Sequence, residues 1–289
     1  MNIALNPQQL AQHSDSHWLA SINLNFARRS QGTIIEHVSH QGPLRIQRPF
    51  YPEGCECCHV YLLHPPGGLV AGDQLSINIS ADETAHALLT TPSAGKVYRS
   101  NKKQQQQRQL VKIQLRDQAL IEWLPMETIV FNGATAVLDT RVWLESTSQV
   151  IGWDFLCFGR PACGEIFDKG YVKQNLEIWR ENKPLLCDRS RFIGGEEIFT
   201  ASWGMRNQPV YGLFYSTLLL DDDSLNELQN RYATCTTGQV GITQRNGVLI
   251  ARFIGQSAED GKVIFSALWA VIRNKVLGRA ACRPRIWNT

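Results

Sequence analysis

Between Trp18 and about Ile198 the chain alternates apolar and polar side chains residue by residue, in short runs repeated many times. Leu75 to Ile79, Leu110 to Leu115 and Ala136 to Leu144 are the clearest examples. A period of two sends successive side chains to opposite faces, so each run is a strand with one buried and one wet face. Gly and Pro interrupt the runs at close intervals, as in Pro65-Pro66-Gly67-Gly68, Thr91-Pro92-Ser93, Leu124-Pro125 and Phe131-Asn132-Gly133. These residues fix or free φ where the chain must turn, and such spacing is what stacked β layers require.

A chain of 289 residues allows about two domains or one large β domain. The hydrophobic fraction of 43%, with 8 Trp, 7 Tyr and 11 Phe, is enough to close a sizeable core. Residues 1–16 are mostly polar and cannot bury enough surface to offset their ordering, so they are expected to form a flexible tail ahead of one β domain spanning 17–289. Two late segments change period. Asp221-Asp222-Asp223-Ser224 stands before Leu225, Leu228 and Tyr232, which places a capped helix near 222–233. Val263, Leu268, Trp269, Ile272 and Val276 mark one face of a second helix near 259–277, with Arg273, Lys275 and Arg279 at its C-terminal end and Gly278 as its stop. Between them Gln239 to Ile254 reads as a hairpin turning at Asn246-Gly247.

Several functions are excluded early. The net charge of 29 − 26 = +3 is too mild to grip a polyanion, so nucleic acid is not expected as a partner. Met1 to Ser16 lacks both the basic and the apolar parts of an export signal. The longest nearly apolar stretch, Val263 to Ile272, is half of the ~20 residues a membrane span needs. Eight Cys without an export signal read as reduced thiols, and the cytoplasm is the expected compartment. Ser93-Ala94-Gly95-Lys96-Val97 has the Gly-Lys pair of a phosphate loop but neither its upstream Gly nor its following hydroxyl. Dinucleotide, nucleophile-elbow and zinc-helix motifs are absent, and every His precedes residue 87, which leaves the rest of the chain poor in general bases. The run Gln104 to Gln107, flanked by Lys102, Lys103 and Arg108, reads as a solvated turn or as a basic patch for an acidic partner.

One dense group of possible ligands remains: Cys55-Glu56-Cys57-Cys58-His59, followed by His64. Thiolates and imidazoles are what Zn²⁺ and Ni²⁺ take, but no second paired-cysteine motif completes a tetrahedral set. The simpler reading is a strand in which Cys58 and His59 alternate in and out, with Cys55 and Cys57 exposed at its start. The following loop, His64 to Asp73, holds three glycines and two prolines and cannot be regular. Arg99, Asp154, Arg160 and Glu165 are the other polar residues set in apolar or Gly-rich surroundings, where an ion pair is the simplest role.

Three long runs carry a resemblance: Tyr61 to Asp73 (YLLHPPGGLVAGD), Thr90 to Ser100 (TTPSAGKVYRS) and Glu122 to Ile129 (EWLPMETI). With Phe158 to Glu165, Leu176 to Arg180 and Arg283 to Trp287 in the same order, the chain from about Trp18 onward resembles the urease accessory protein family UreD, also called UreH. The resemblance implies a mainly β fold, a β-helix-like stack of short strands with two α-helices toward the C-terminus. It implies a non-enzymatic nickel chaperone that binds apo-urease and UreF, with UreG attached through UreF, and passes Ni²⁺ along an internal tunnel without a tightly bound cofactor. Such a conduit must hold Ni²⁺ weakly, by oxygen or imidazole, because thiolates would not let it go. Asp73, Asp154, Glu165 and Glu177 are then the carboxylate candidates and His64 the imidazole candidate. Two alternatives stand beside this: a metal-dependent hydrolase with Cys58, His59, His64 and Asp73 as ligands, and a structural adaptor that opens urease without touching nickel.

Overall fold

The computed structural model describes residues 18–288, so the expected tail at 1–16 lies outside the described residues. The chain opens with β1 (Leu19–Arg29), β2 (Gly32–Gln41), β3 (Arg45–Ile46) and β4 (Cys57–Leu63). Next come β5 (Gln74–Ala81), β6 (His86–Thr90), β7 (Gly95–Val97), β8 (Gln107–Leu115), β9 (Leu120–Trp123) and β10 (Thr128–Val130). Then follow β11 (Thr135–Leu144), β12 (Gln149–Phe158), β13 (Tyr171–Arg180), β14 (Lys183–Ile193) and β15 (Val210–Ser216). Helix α1 (Asp222–Ala233), the hairpin of β16 (Gly238–Arg245) and β17 (Val248–Gly255), and α2 (Ala258–Leu277) close the fold.

The middle of the chain is a solenoid. Each turn contributes a strand to a seven-stranded sheet (β14-β13-β11-β8-β5-β1-β2) and then one to a second sheet (β16-β17-β15-β12-β9-β6-β4-β3). Strands β1, β5, β8, β11 and β13 pair in parallel, as do β4, β6, β9 and β12. A narrow third ladder, β7-β10-β12, fills the corner between them. Stacking of this kind leaves each turn dependent on its neighbours for a buried face. The antiparallel strands β2, β14, β15, β17 and β16 finish the sheet edges.

Strand β12 shows how alternation builds the layers. Its Leu156 and Phe158 join the core between the sheets, with Ile22, Val111 and Val142. Its Ile151, Trp153 and Phe155 join a second core under the helices, with Phe214, Phe253, Phe265 and Trp269. Strand β11 alternates buried and half-exposed residues along its whole length, as the period-2 reading requires. By contrast β4 is buried on both faces, which places Cys57 in the core and corrects the expectation that it is exposed; Cys55 alone of the pair is exposed.

Both helices form where caps and periodicity put them. Asp221 accepts the backbone N–H of Ser224 at 2.7 Å to start α1, and Gly278, with φ of 64°, ends α2. Leu268, Trp269 and Ile272 are buried as expected, but Val263 is 56% exposed. It lies about 240° around the helix from Trp269, outside the apolar stripe. Arg273, four residues after Trp269, is on the buried face instead and is fully enclosed. The hairpin turns at Asn246 (φ 51°) and Gly247 (φ 77°), as the dipeptide dictates.

Candidate functional site

Because Trp153 and Phe155 face the helices, Asp154 between them must face the space between the sheets. There it meets a cavity of about 390 Å³, lined also by His64, Gln109, Trp123 and Thr128 and by the loop residues Pro65, Gly67, Gly68 and Thr91 to Lys96. A second void of about 10 Å³, room for about one water, lies beside Asp154 among Gln109, Thr128, Thr140 and Gln174. These polar residues come from inward positions of β8, β10, β11 and β13, beside apolar inward neighbours such as Val111, Leu138, Val142, Val172 and Leu176.

The polar groups here are incompletely partnered by protein. Gln174 Oε1 has no hydrogen-bond partner, and Thr140 Oγ1 reaches Asp154 only at 3.5 Å. Burial pushes the Asp154 carboxyl up to about 7, against the pull of the Thr140 hydroxyl and the Trp123 indole. Burial likewise lowers the His64 imidazole, against the opposing charge of Asp73, so its nitrogen lone pair is available near neutral pH. A carboxyl poised near 7 can give up its proton for a divalent cation and a neutral imidazole can offer its lone pair, neither holding the cation as a thiolate would.

A different cluster sits under α2. Glu122, in the middle of β9, receives the indole N–H of Trp269 and lies 2.5 Å from His86 Nε2. Arg273 lies 3.4 Å from Glu122 and donates twice to Glu53, at 3.0 and 2.8 Å, while His59 Nε2 meets Glu53 at 2.7 Å. Burial acts to raise the Glu53 carboxyl, but the bonds from His59 and Arg273 outweigh it and hold it down at about 2. Glu53, Cys57 and His59 form one possible metal triad here, and Cys57, His86 and Glu122 another. However, burial and the two carboxylates push the Cys57 thiol well up, and Arg273 already supplies the cation the carboxylates require. The cluster is an ion lock for α2. The sequence carried its signal in Glu122 and Arg273, two charges at apolar-face positions, but the C-terminal-end reading of Arg273 concealed it.

Of the five sequence candidates, Asp154 and His64 meet at one cavity. Asp73 is beside His64 but commits both oxygens to backbone N–H groups, of Trp18 at 2.8 Å and Val70 at 2.9 Å. Glu165 forms a two-bond pair with Arg160 at the surface, and Glu177 faces outward from the seven-stranded sheet, 3.6 Å from Arg189. Neither lines the cavity. The set proposed for a hydrolase does not converge either. Cys58 joins the core between the sheets, whereas His59, one residue on, faces Glu53 and α2.

A family model described as UreD urease accessory protein matches residues 19–288. A protein called urease accessory protein UreD from Saccharophagus degradans is 42% identical over 275 residues, covering 94% of this chain and 93% of its own. One of the same name from Dechloromonas aromatica is 40% identical over 286 residues, 98% of each chain. A third, from a Nostoc species, is 38% identical and covers 94% of this chain and 96% of its own.

Proposed function

Since the chain belongs to the UreD family of urease accessory proteins, and so to urease maturation, we propose that it works as a nickel-passing scaffold within that machinery. It binds apo-urease on one side and UreF on another, with UreG joined through UreF. Ni²⁺ is its cargo, held transiently, and no cofactor stays bound. Among the described residues no helix is long and apolar enough to cross a membrane, and we place the work in the cytoplasm, in a single β domain at 17–289 with a flexible tail before it.

The observation that carries this reading is the polar interior around Asp154. A β core gains by filling with apolar side chains, and a buried carboxyl costs several kcal/mol unless it has partners. Here one carboxyl, one imidazole and the polar side chains of Gln109, Thr128, Thr140 and Gln174 are kept around two neighbouring spaces between the sheets. In the proposed route the cation enters past His64, displaces a proton from Asp154 and leaves toward Gln174, with water supplying the missing ligands. The enzymatic alternative has no converged ligand set and lapses.

The test is Asp154→Asn in the full chain, co-expressed with the urease structural subunits, UreF and UreG under limiting nickel. The expected result is an intact complex with nickel content and urease activity both reduced severalfold. An intact complex with unchanged nickel content refutes the conduit and leaves the structural adaptor. Loss of the complex makes Asp154 a packing residue.

A further inference from the structure

Among the described residues no helix covers the outer face of the seven-stranded sheet, and at the C-terminal ends of its parallel strands it holds a groove of about 510 Å³. Trp143 on β11 and Trp179 on β13 are register partners, so both indoles leave the sheet on this face, side by side and half-buried. Asp82, Glu145 and Glu181 rim the groove. One cation, Arg116, is among the lining residues, 3.9 Å from Asp82 and 3.6 Å from Glu145. Arg180 stands nearby but points its guanidinium at the carbonyls of Ser146 and Ser148. Among the described residues, Arg cations lie over the rings of Phe131, Trp269 and Trp287 but over neither of these two indoles.

We propose that this groove is a docking site for a protruding segment of a partner protein that presents a lysine or arginine side chain. Two indole faces attract a cation through their quadrupoles, and the surplus of rim carboxylates adds a complementary field. Tryptophans are also among the residues that most often dominate protein interfaces. The opposite end of the same face has the reverse character, with Arg108, Lys173 and Arg191 in one cross-strand row, so the acidic end discriminates by charge. The proposal rests on the scaffold reading above, which supplies the partners.

The full chain, co-expressed with the urease structural subunits and UreF, is captured by a tag and each co-captured partner is quantified. The double variant Asp82→Lys/Glu181→Lys is expected to lose one partner at least tenfold, and Trp143→Leu/Trp179→Leu, which keeps apolar bulk without a π face, is expected to lose the same one. Arg191→Glu at the far end leaves capture at the wild-type level, and raising salt weakens the wild-type interaction. If both double variants keep every partner at wild-type levels while wild type assembles normally, the docking site is refuted and the scaffold reading stands. A wild-type chain that captures neither partner refutes both.

Discussion

Arg273→Met is the sharpest test of how the helical layer is held. Arg273 is fully enclosed, bonds both oxygens of Glu53 and lies 3.4 Å from Glu122, so an unbranched apolar side chain leaves two buried carboxylates without their cation. Breaking such a pair from one side costs about 3–5 kcal/mol. The depression of Glu53 gives an independent figure. A shift from 4.5 to about 2 corresponds to roughly 3 kcal/mol at neutral pH, part of it from His59. At about 2–4 °C per kcal/mol for a chain of this size, the melting temperature should fall by about 6–20 °C. Urea unfolding followed by tryptophan fluorescence measures the loss. The sign with pH is fixed as well. Glu53 has a lowered folded value, so its contribution is present above about 4.5 and disappears as pH falls toward 2, and Arg273→Met should show a much weaker acid dependence across that window. Combining Arg273→Met with Glu53→Gln should cost less than the sum of the two singles. A loss below about 1 kcal/mol, or strict additivity, would refute the ion lock.

Asp154→Asn should also change the pH profile of stability, in the opposite sense. Its folded value of about 7 lies above the ordinary 3.8, so its contribution is full below 3.8 and is gone once pH passes 7; the variant should flatten this decline and be the more stable form at pH 8, as urea midpoints across pH 4–8 will report. Asp221→Ala removes the acceptor for the Ser224 N–H and should cost about 1 kcal/mol, seen as a small drop in melting temperature with the fold's circular dichroism unchanged.

Much of this fold was legible because its signals are local. Alternation in β5, β8 and β11, the Asn246-Gly247 turn, and the caps Asp221 and Gly278 each follow from a few neighbouring residues. What escaped depends on contacts distant in sequence. Cys57 is buried because β4 lies inside the second sheet with α2 over it, and no residue near Cys57 announces that cover. The turn at Glu181-Asn182, both with positive φ, has no glycine to signal it. At the site, Asp154 was visible as a carboxyl between aromatics, and His64 as part of an irregular loop. Their meeting at one cavity needed the solenoid to bring β12 under the His64 loop. The ion lock joins Glu53 to Arg273 across 220 positions, a pairing no local pattern encodes.

Strand β12 serves two masters through one backbone. Its odd residues seat the helices and its even residues face the interior between the sheets, so substitutions in one set need not disturb the other. A gain or loss of a single residue within it has no such freedom. It would turn Trp153 into the space between the sheets and deliver Asp154 to the helical seat, filling one and charging the other at a stroke. Variation in this strand is therefore confined to replacement, and its length is held by two unrelated requirements at once.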